Sequence, residues 1–201
     1  MKNDNTYASK LQPVTAKNAN EAQLEVLEYT KKKMGFIPNL QKNMAHNIGL
    51  QKVYNYSAEI FREESGFSPI EIETVYITVS FENNCDYCVA AHSMLGSVKA
   101  KMPSDVVEAL RKGKEIPDFK LNTLHNFTKH MLLTRGWPDK SEVQKFLDAG
   151  YTEKHILSII HAIATKTLSN YTNHIFHTEL DAPLKVWEWK PLRKVVSFFK
   201  R

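Results

Sequence analysis

Hydrophobic residues recur at helical spacing along most of the chain, and glycines mark the ends of the segments that carry them. Segments 18–35, 49–64, 103–113, 121–136 and 141–150 have apolar positions three or four residues apart, and all but 49–64 close on a glycine. The first of them also has its acidic residues early and its lysines late, as the helix dipole favours. This pattern predicts a chain that is helical almost throughout.

One segment disagrees with that pattern. The stretch IEIETVYITVSF at 70–81 alternates apolar and polar residues and is rich in β-branched types, which on periodicity alone indicates a strand and would suggest a thioredoxin-like fold. Against a strand, Ser68 and Glu71 are spaced as a capping box, with Pro69 at the first helical position. The chain offers no other convincing strand to pair with it. We therefore predict a buried helix here and an all-α fold.

The two halves of the chain echo each other weakly. GFSPIE at 66–71 resembles GYTEKH at 150–155, and further on three residue pairs align at one constant offset: Cys85, Cys88 and His92 with Asn170, Asn173 and His177. We interpret the echo as a duplicated two-helix unit in which the first copy alone carries thiols; chance similarity is the alternative. For Asn170 and Asn173 we prefer a structural role, as residues that cap or bridge helices, over the alternative that they face the cysteines across the core or an oligomer interface.

Composition limits the domain count and the cellular setting. The 201 residues suffice for one domain, which we assign to residues 1–183. We expect no membrane contact by this domain and a cytoplasmic location, because the apolar runs are short and the first residues lack a signal-peptide core. Much of the net charge of +5 lies in Lys31–Lys33 and in the last twelve residues, without an arginine-rich stripe, so we expect no nucleic-acid partner.

Residues 184–201 form a basic, aromatic tail. Its large side chains are Trp187, Trp189, Val195, Phe198 and Phe199. We expect them to pack at a subunit interface, in preference to contact with an acidic or membrane surface.

The only two cysteines, Cys85 and Cys88, stand at the start of the helix predicted to follow the 70–81 segment. Free backbone N–H groups and the positive end of the helix dipole favour a thiolate there. Three residues apart, the two sulfurs lie on one side of the helix and can close a small disulfide ring. His92, four residues beyond Cys88, lies on the same face and can take the Cys88 proton directly or through a water.

Glu73 is the fourth candidate, because a carboxylate in the middle of an apolar helix is costly without a partner. Pairing with a lysine and orientation of the His92 imidazole account for it equally well at this point. Two other interpretations of the cysteines stay open: buried cysteines without chemistry, and a zinc site with Cys85, Cys88 and His92 as three ligands. Haem attachment is excluded, since no histidine directly follows Cys88.

SPIEIETVYITVSFENNCDYCVAAH at 68–92 resembles the core of the carboxymuconolactone decarboxylase and alkyl hydroperoxidase D (AhpD-like) superfamily, and in particular its peroxidase-related branch. The likeness extends to 35–54 and 169–181, so that it covers roughly Pro13 to Asp181. It implies an all-α fold, homo-oligomers that are commonly trimers or hexamers, and reduction of hydroperoxides at the expense of a thiol or dithiol reductant that the sequence does not identify. The decarboxylase branch typically lacks the cysteine pair.

Carried over by position, the resemblance makes Cys88 the peroxidatic thiolate, Cys85 the resolving thiol, and His92 with Glu73 the proton relay. It implies a redox-active Cys85–Cys88 disulfide and neither a further cofactor nor a catalytic metal. Alkyl hydroperoxidase D has a second histidine where this chain has Tyr87. Tyr87 is therefore a secondary candidate and a departure that shortens the relay. The alternative from another class is a non-catalytic or zinc-binding helical scaffold.

Overall fold

The computed structural model describes residues 6–188, which are helical wherever they have regular secondary structure. The α-helices of this part of the chain are α1 Glu21–Met34, α2 Asn39–Met44, α3 Ile48–Glu64, α4 Pro69–Glu82, α5 Asp86–Val98, α6 Ser104–Lys112, α7 Phe119–Leu133, α8 Lys140–Asp148 and α9 Glu153–Phe176, and a 3-10 helix follows at Ala182–Trp187. The predicted all-α fold is confirmed. None of the helices between residues 6 and 188 is long and apolar enough to span a membrane.

The central helix α4 is the segment whose alternation resembled a strand. Its predicted start is present: the Ser68 hydroxyl accepts a hydrogen bond from the Glu71 amide, and the Glu71 carboxylate accepts one from the Ser68 amide. Residues 71–80 are all buried, because α5, α6, α7 and α9 pack around this helix. Thr74 and Thr78 donate their hydroxyls to carbonyls four residues earlier, so these polar side chains are satisfied within the helix itself.

A short turn returns the chain from α4 to α5, and α5 packs against α4. Asn84 holds this turn in a left-handed conformation with φ of 58°, which asparagine tolerates better than most residues. The second half of the chain lacks such a turn: α9 runs without interruption from Glu153 to Phe176. The predicted duplication is therefore wrong in its second copy, because the residues that align with the turn, 168–170, continue the helix.

The segment that follows α9, residues 177–188, packs back onto the domain. Leu184 of the 3-10 helix is buried, Trp187 packs beside it, and the Arg111 guanidinium donates a hydrogen bond to the Trp187 carbonyl over 2.9 Å. The predicted boundary at 183/184 thus falls inside an element that belongs to the domain. Residues of the predicted tail from Trp189 onward, including Val195, Phe198 and Phe199, lie outside the described residues.

The packing of α6 on α4 gives a test of the fold. Gly35 and Gly113 both have positive φ, but a Cβ at Gly35 would meet no atom within 4 Å, whereas one at Gly113 would lie 2.5 Å from the Phe81 ring. Gly35→Ala should cost about 1 kcal/mol from backbone strain alone. Gly113→Ala should cost about 2 kcal/mol more, because Phe81 must move. Urea unfolding of both variants measures the difference; equal losses would contradict this packing.

Candidate active site

The predicted site residues come together where α4, α5 and α9 meet beneath α3. Glu73 lies near the middle of α4, Cys85 caps the N-terminus of α5, and Cys88 and His92 lie in its first two turns. All four side chains are buried, with the two cysteines only 1% and 2% exposed. The turn at Asn84 brings the start of α5 back beside α4, which is how residues from two helices share one site.

Glu73 binds the imidazole that the sequence assigned to it. Its Oε2 lies 2.7 Å from Nδ1 of His92, and its Oε1 accepts a hydrogen bond of 2.7 Å from the Arg62 guanidinium of α3. The lysine partner considered as an alternative is thus replaced by an arginine. Since a carboxylate only accepts, Nδ1 of His92 carries the proton, and Nε2 of a neutral imidazole is left as an acceptor.

Nε2 of His92 meets a lysine from the opposite side. The ammonium of Lys166 on α9 lies 2.8 Å away and donates to this nitrogen. Lys166 is 1% exposed, and its ammonium also lies 5.3 Å from the centre of the Tyr76 ring. The imidazole is therefore held at both nitrogens, by a carboxylate on one side and by an ammonium on the other.

The two sulfurs face polar side chains of α9. The Asn173 amide nitrogen lies 3.3 Å from Sγ of Cys88 and 3.6 Å from Sγ of Cys85, and the Ser169 hydroxyl lies 3.8 Å from Cys88. Both cysteines are free thiols in this structure. Asn173 therefore contacts the site itself, contrary to the expectation that it only caps or bridges helices.

The two thiols have opposite acidities. Burial raises the pKa of Cys85 well above its usual value, and the hydrogen bond that Cys85 donates to Cys88 raises it further. Burial alone would also raise the pKa of Cys88, but that hydrogen bond and the positive charge of Lys166 outweigh burial and hold this pKa well below its usual value. Negative charge in the pair is thus favoured on Cys88, while Cys85 is favoured as the neutral thiol.

The neighbouring charges follow from the same contacts. Burial opposes the charge on Glu73, but His92 and Arg62 outweigh it and lower the pKa of this carboxyl. Burial and the nearby Lys166 charge lower the pKa of His92. Burial disfavours the ammonium of Lys166, yet the negative charge of Cys88 raises the pKa of this lysine on balance. The site accordingly holds an ionised Glu73, a neutral His92 and a charged Lys166.

Two further residues named from the sequence point elsewhere. The Tyr87 hydroxyl donates to the Asp181 carboxylate, which also accepts from the Asn39 amide, and burial raises the pKa of this phenol. Tyr87 therefore connects α5 to the segment that follows α9. Asn170 accepts a hydrogen bond of 2.9 Å from Asn83, so it bridges α9 to the turn before α5, as predicted.

The donors around the sulfurs bear on the zinc interpretation. Within residues 6–188, no three His, Cys, Asp or Glu side chains converge in the way that metal ligands do. The groups that approach Cys85 and Cys88 are an amide NH2 and an ammonium, both of which donate hydrogen bonds. Such groups stabilise a bare thiolate and compete with a cation, so the residues present do not fit zinc.

Sequence reasoning missed Arg62, Lys166 and Ser169, and for Asn173 it preferred a structural role over contact with the site. Lys166 carried a usable signal, since it lies at helical spacing from residues that the structure buries on α9: Ile159, Ala162, Ser169 and Asn173. A lysine on such a face needs a buried partner. Arg62 carried no comparable signal, because it follows a hydrophobic residue near the end of an amphipathic helix, where arginines are ordinarily solvated.

Comparison with known proteins gives one sequence match and several structural ones. Residues 50–116, from α3 to the end of the loop after α6, match the model of the carboxymuconolactone decarboxylase family. No curated protein matches the chain in sequence. The structural matches have low sequence identity and high coverage, so they show a shared fold.

An uncharacterized peroxidase-related protein from Ralstonia eutropha JMP134, described as an alkylhydroperoxidase AhpD core, superposes with a TM-score of 0.75 at 18% identity, over 88% of this chain and 94% of that one. A peroxidase-related protein from Silicibacter sp. TM1040 gives 0.71 at 19% identity, over 92% and 96%. The debrominase Bmp8, solved as a cysteine-to-alanine variant with 2,3,4-tribromopyrrole, gives 0.72 at 14% identity, over 90% and 97%.

The family match covers the helices that carry Arg62, Glu73, both cysteines and His92, and the shared fold extends over nearly the whole described chain. Residues 50–116 are therefore similar in sequence to the carboxymuconolactone decarboxylase family, and the structural matches show that the chain shares their fold.

Proposed function

We propose that the chain is a thiol-dependent peroxidase, or disulfide oxidoreductase, that reduces hydroperoxides through Cys88 and Cys85. The observation that carries the proposal is the asymmetric sulfur pair. Two thiols one helical turn apart lie at the positive end of α5, where an amide from Asn173 and the buried ammonium of Lys166 favour charge on Cys88. A charged sulfur beside a neutral one is the arrangement that an attacking and a resolving thiol require.

In the first step the Cys88 thiolate attacks one oxygen of the hydroperoxide, and the O–O bond breaks. The sulfur is oxidised to a sulfenic acid, and the leaving alkoxide takes a proton to become an alcohol. In the second step Cys85 attacks the Cys88 sulfur, a disulfide forms, and water leaves. An external thiol or dithiol then reduces the disulfide and returns both thiols. No cofactor beyond the disulfide enters the cycle.

Glu73 and His92 serve this cycle as a proton relay. The carboxylate holds Nδ1–H of the imidazole, so Nε2 is left as the acceptor and faces the Lys166 ammonium, which favours charge on Cys88. We further propose that the protein works as a homo-oligomer, a trimer or hexamer, because the residues at 68–92 resemble enzymes with that organisation. The short apolar runs and the lack of an arginine-rich stripe support a cytoplasmic protein without a membrane or nucleic-acid partner.

Reductive debromination is a second candidate, favoured by the likeness to the debrominase Bmp8 over 90% of this chain. The same sulfurs can perform it with balanced electrons. The Cys88 thiolate takes bromine from carbon, a proton replaces it on carbon, and Cys85 then displaces bromide as the disulfide forms. The two reactions use the same sulfurs and end in the same disulfide, and they differ in the electrophile that the thiolate attacks. Parallel assays with cumene hydroperoxide and 2,3,4-tribromopyrrole therefore distinguish the two functions.

The peroxidase proposal predicts a stoichiometric redox reaction. Reduced protein given one equivalent of cumene hydroperoxide should form cumyl alcohol and a Cys85–Cys88 disulfide, visible in the intact mass as a loss of about two hydrogens. Cys85→Ser should stop at a Cys88 sulfenic acid that dimedone traps. Cys88→Ser should lose at least about 99% of peroxide consumption, because the remaining thiol is protonated.

Two results would contradict the proposal. One is retention of both free thiols after peroxide treatment; the other is full turnover by Cys88→Ser. Elemental analysis of protein purified without chelator tests the scaffold alternative at the same time: stoichiometric zinc with thiols protected from alkylation would favour a metal-binding protein over the enzyme.

The relay predicts how stability depends on pH. The folded-state pKa of Glu73 lies below the ordinary glutamate value of 4.5, so this carboxylate stabilises the fold above that pH, and its contribution is lost as the pH falls through the lower folded pKa. Glu73→Gln should therefore cost about 3 kcal/mol at pH 7 and progressively less toward pH 3. Urea unfolding across this range measures both proteins.

Glu142→Gln is the matched control, because Glu142 pairs with Lys145 on the surface of α8. This variant should lose less than about 1 kcal/mol. A loss for Glu73→Gln that is as small as the control's, or that is the same at pH 3 and pH 7, would mean that the Glu73 charge does not act as described.

A further inference from the structure

Lys166 is the least expected ionised group of the site. Its side chain is 1% exposed on the inner face of α9, although lysine is almost never fully buried without a partner. A buried ammonium ordinarily loses its proton unless a negative charge compensates it. The hydrogen bond of 2.8 Å to His92 does not supply that charge, because the imidazole is neutral. The compensation has to come from another neighbour.

Counting charges identifies that neighbour. Arg62 and Glu73 form an ion pair of 2.7 Å and cancel each other. The Cys88 sulfur lies close to Ser169 and Asn173, one and two turns beyond Lys166 on α9, and His92, which contacts the ammonium, lies one turn beyond Cys88 on α5. Within residues 6–188, the ionisable groups left at the centre of the site are thus Lys166 and Cys88, and each shifts the pKa of the other toward its charged form. The remaining sulfur, Cys85, is neutral and donates to Cys88. The lysine and the thiolate therefore depend on one another.

We propose that Lys166 is the positioning residue that keeps Cys88 ionised, and that His92 acts on the thiolate through Lys166. Nε2 of His92 accepts a hydrogen bond from the ammonium and so holds it against α5. Glu73 binds the other nitrogen of the imidazole, and Arg62 binds Glu73. The order of the chain is guanidinium, carboxylate, imidazole, ammonium and thiolate. The proposal rests on the proposed function only in taking Cys88 as the reacting sulfur.

Among the described residues, no other cation lies in a comparable position near Cys88. The titratable and polar groups that interact with Cys88, Lys166 or His92, taken over every described element packed there, are Tyr54 and Arg62 of α3, Glu73 and Tyr76 of α4, Cys85, Tyr87 and His92 of α5, and Ser169, Asn173 and His174 of α9. Arg62 is neutralised by Glu73, and burial lowers the pKa of His174. Lys166 is thus the charge whose removal should matter most.

The test measures thiolate formation directly. In a Cys85→Ser background, Cys88 is the only cysteine left in the chain, so thiolate absorbance at 240 nm and the rate of iodoacetamide alkylation both report on it. Lys166→Met should raise the pH midpoint of Cys88 by at least one unit and slow alkylation at pH 7 at least about tenfold. The control is Lys154→Met, which removes the same charge from an exposed position on α9 and should change neither.

Two more variants separate the effect of charge from that of hydrogen bonding, and they show whether Lys166 or His92 is the direct partner of Cys88. Lys166→Gln keeps a donor toward His92 but has no charge, and it should behave like Lys166→Met; it also replaces that variant if the methionine does not fold. His92→Gln should shift the Cys88 midpoint less than either, because the ammonium remains. A larger shift for His92→Gln than for Lys166→Gln would overturn the proposal and make the imidazole the direct partner.

The unaltered protein offers a measurement without substitution at Lys166. The ε-methylene NMR signal of this lysine should change over the same pH range as the absorbance at 240 nm, and independence of the two titrations would overturn the proposal. These readouts do not involve peroxide. Loss of the Lys166 effect with peroxide turnover intact refutes only this inference, while a preserved effect in a protein that does not reduce peroxide refutes only the proposed function.

Discussion

The carboxylate of Glu73 is 2% exposed in the middle of the most buried helix, and it can stay ionised there only if its two oxygens are satisfied by positive or donating groups. Arg62 takes one oxygen and His92 takes the other. This single requirement selects the imidazole tautomer, because Nδ1 has to donate. It also directs Nε2 toward α9, where Lys166 meets it. The positions of three side chains on three helices thus follow from one buried negative charge.

The arrangement is a row of two oppositely charged pairs joined by a neutral imidazole, and its ends differ. At one end, the Arg62 side chain is 40% exposed, so the row begins close to solvent. At the other end the Cys88 sulfur is 2% exposed. Buried ions are expensive, and replacing such a row by apolar side chains would cost the fold little or nothing. Its presence is therefore better explained by the thiolate that it supports than by stability.

The sequence predicted the parts of this site that depend on local geometry. The capping box at Ser68 determined where α4 begins, and the four-residue spacing of Cys88 and His92 put sulfur and imidazole on one helix face. The contact of Glu73 with His92 was one of two alternatives that the sequence left open, and the return of α5 onto α4 decides between them. What the sequence could not supply were contacts between distant helices: Lys166 is 74 residues from His92, and Asn173 is 85 residues from Cys88.

Contacts from a distant helix also explain why the two cysteines differ in pKa, although their positions on α5 are similar. Both lie at the helix N-terminus, within reach of the same dipole, so α5 by itself favours charge on either sulfur. The difference enters from α9. Lys166 and Ser169 act on Cys88, and the Asn173 amide lies 0.3 Å closer to it than to Cys85 (3.6 against 3.3 Å). Once one sulfur carries the charge, the other has to stay protonated, because two thiolates side by side would repel each other in a buried site. An uninterrupted helix from the other half of the chain therefore favours negative charge on Cys88 over negative charge on Cys85.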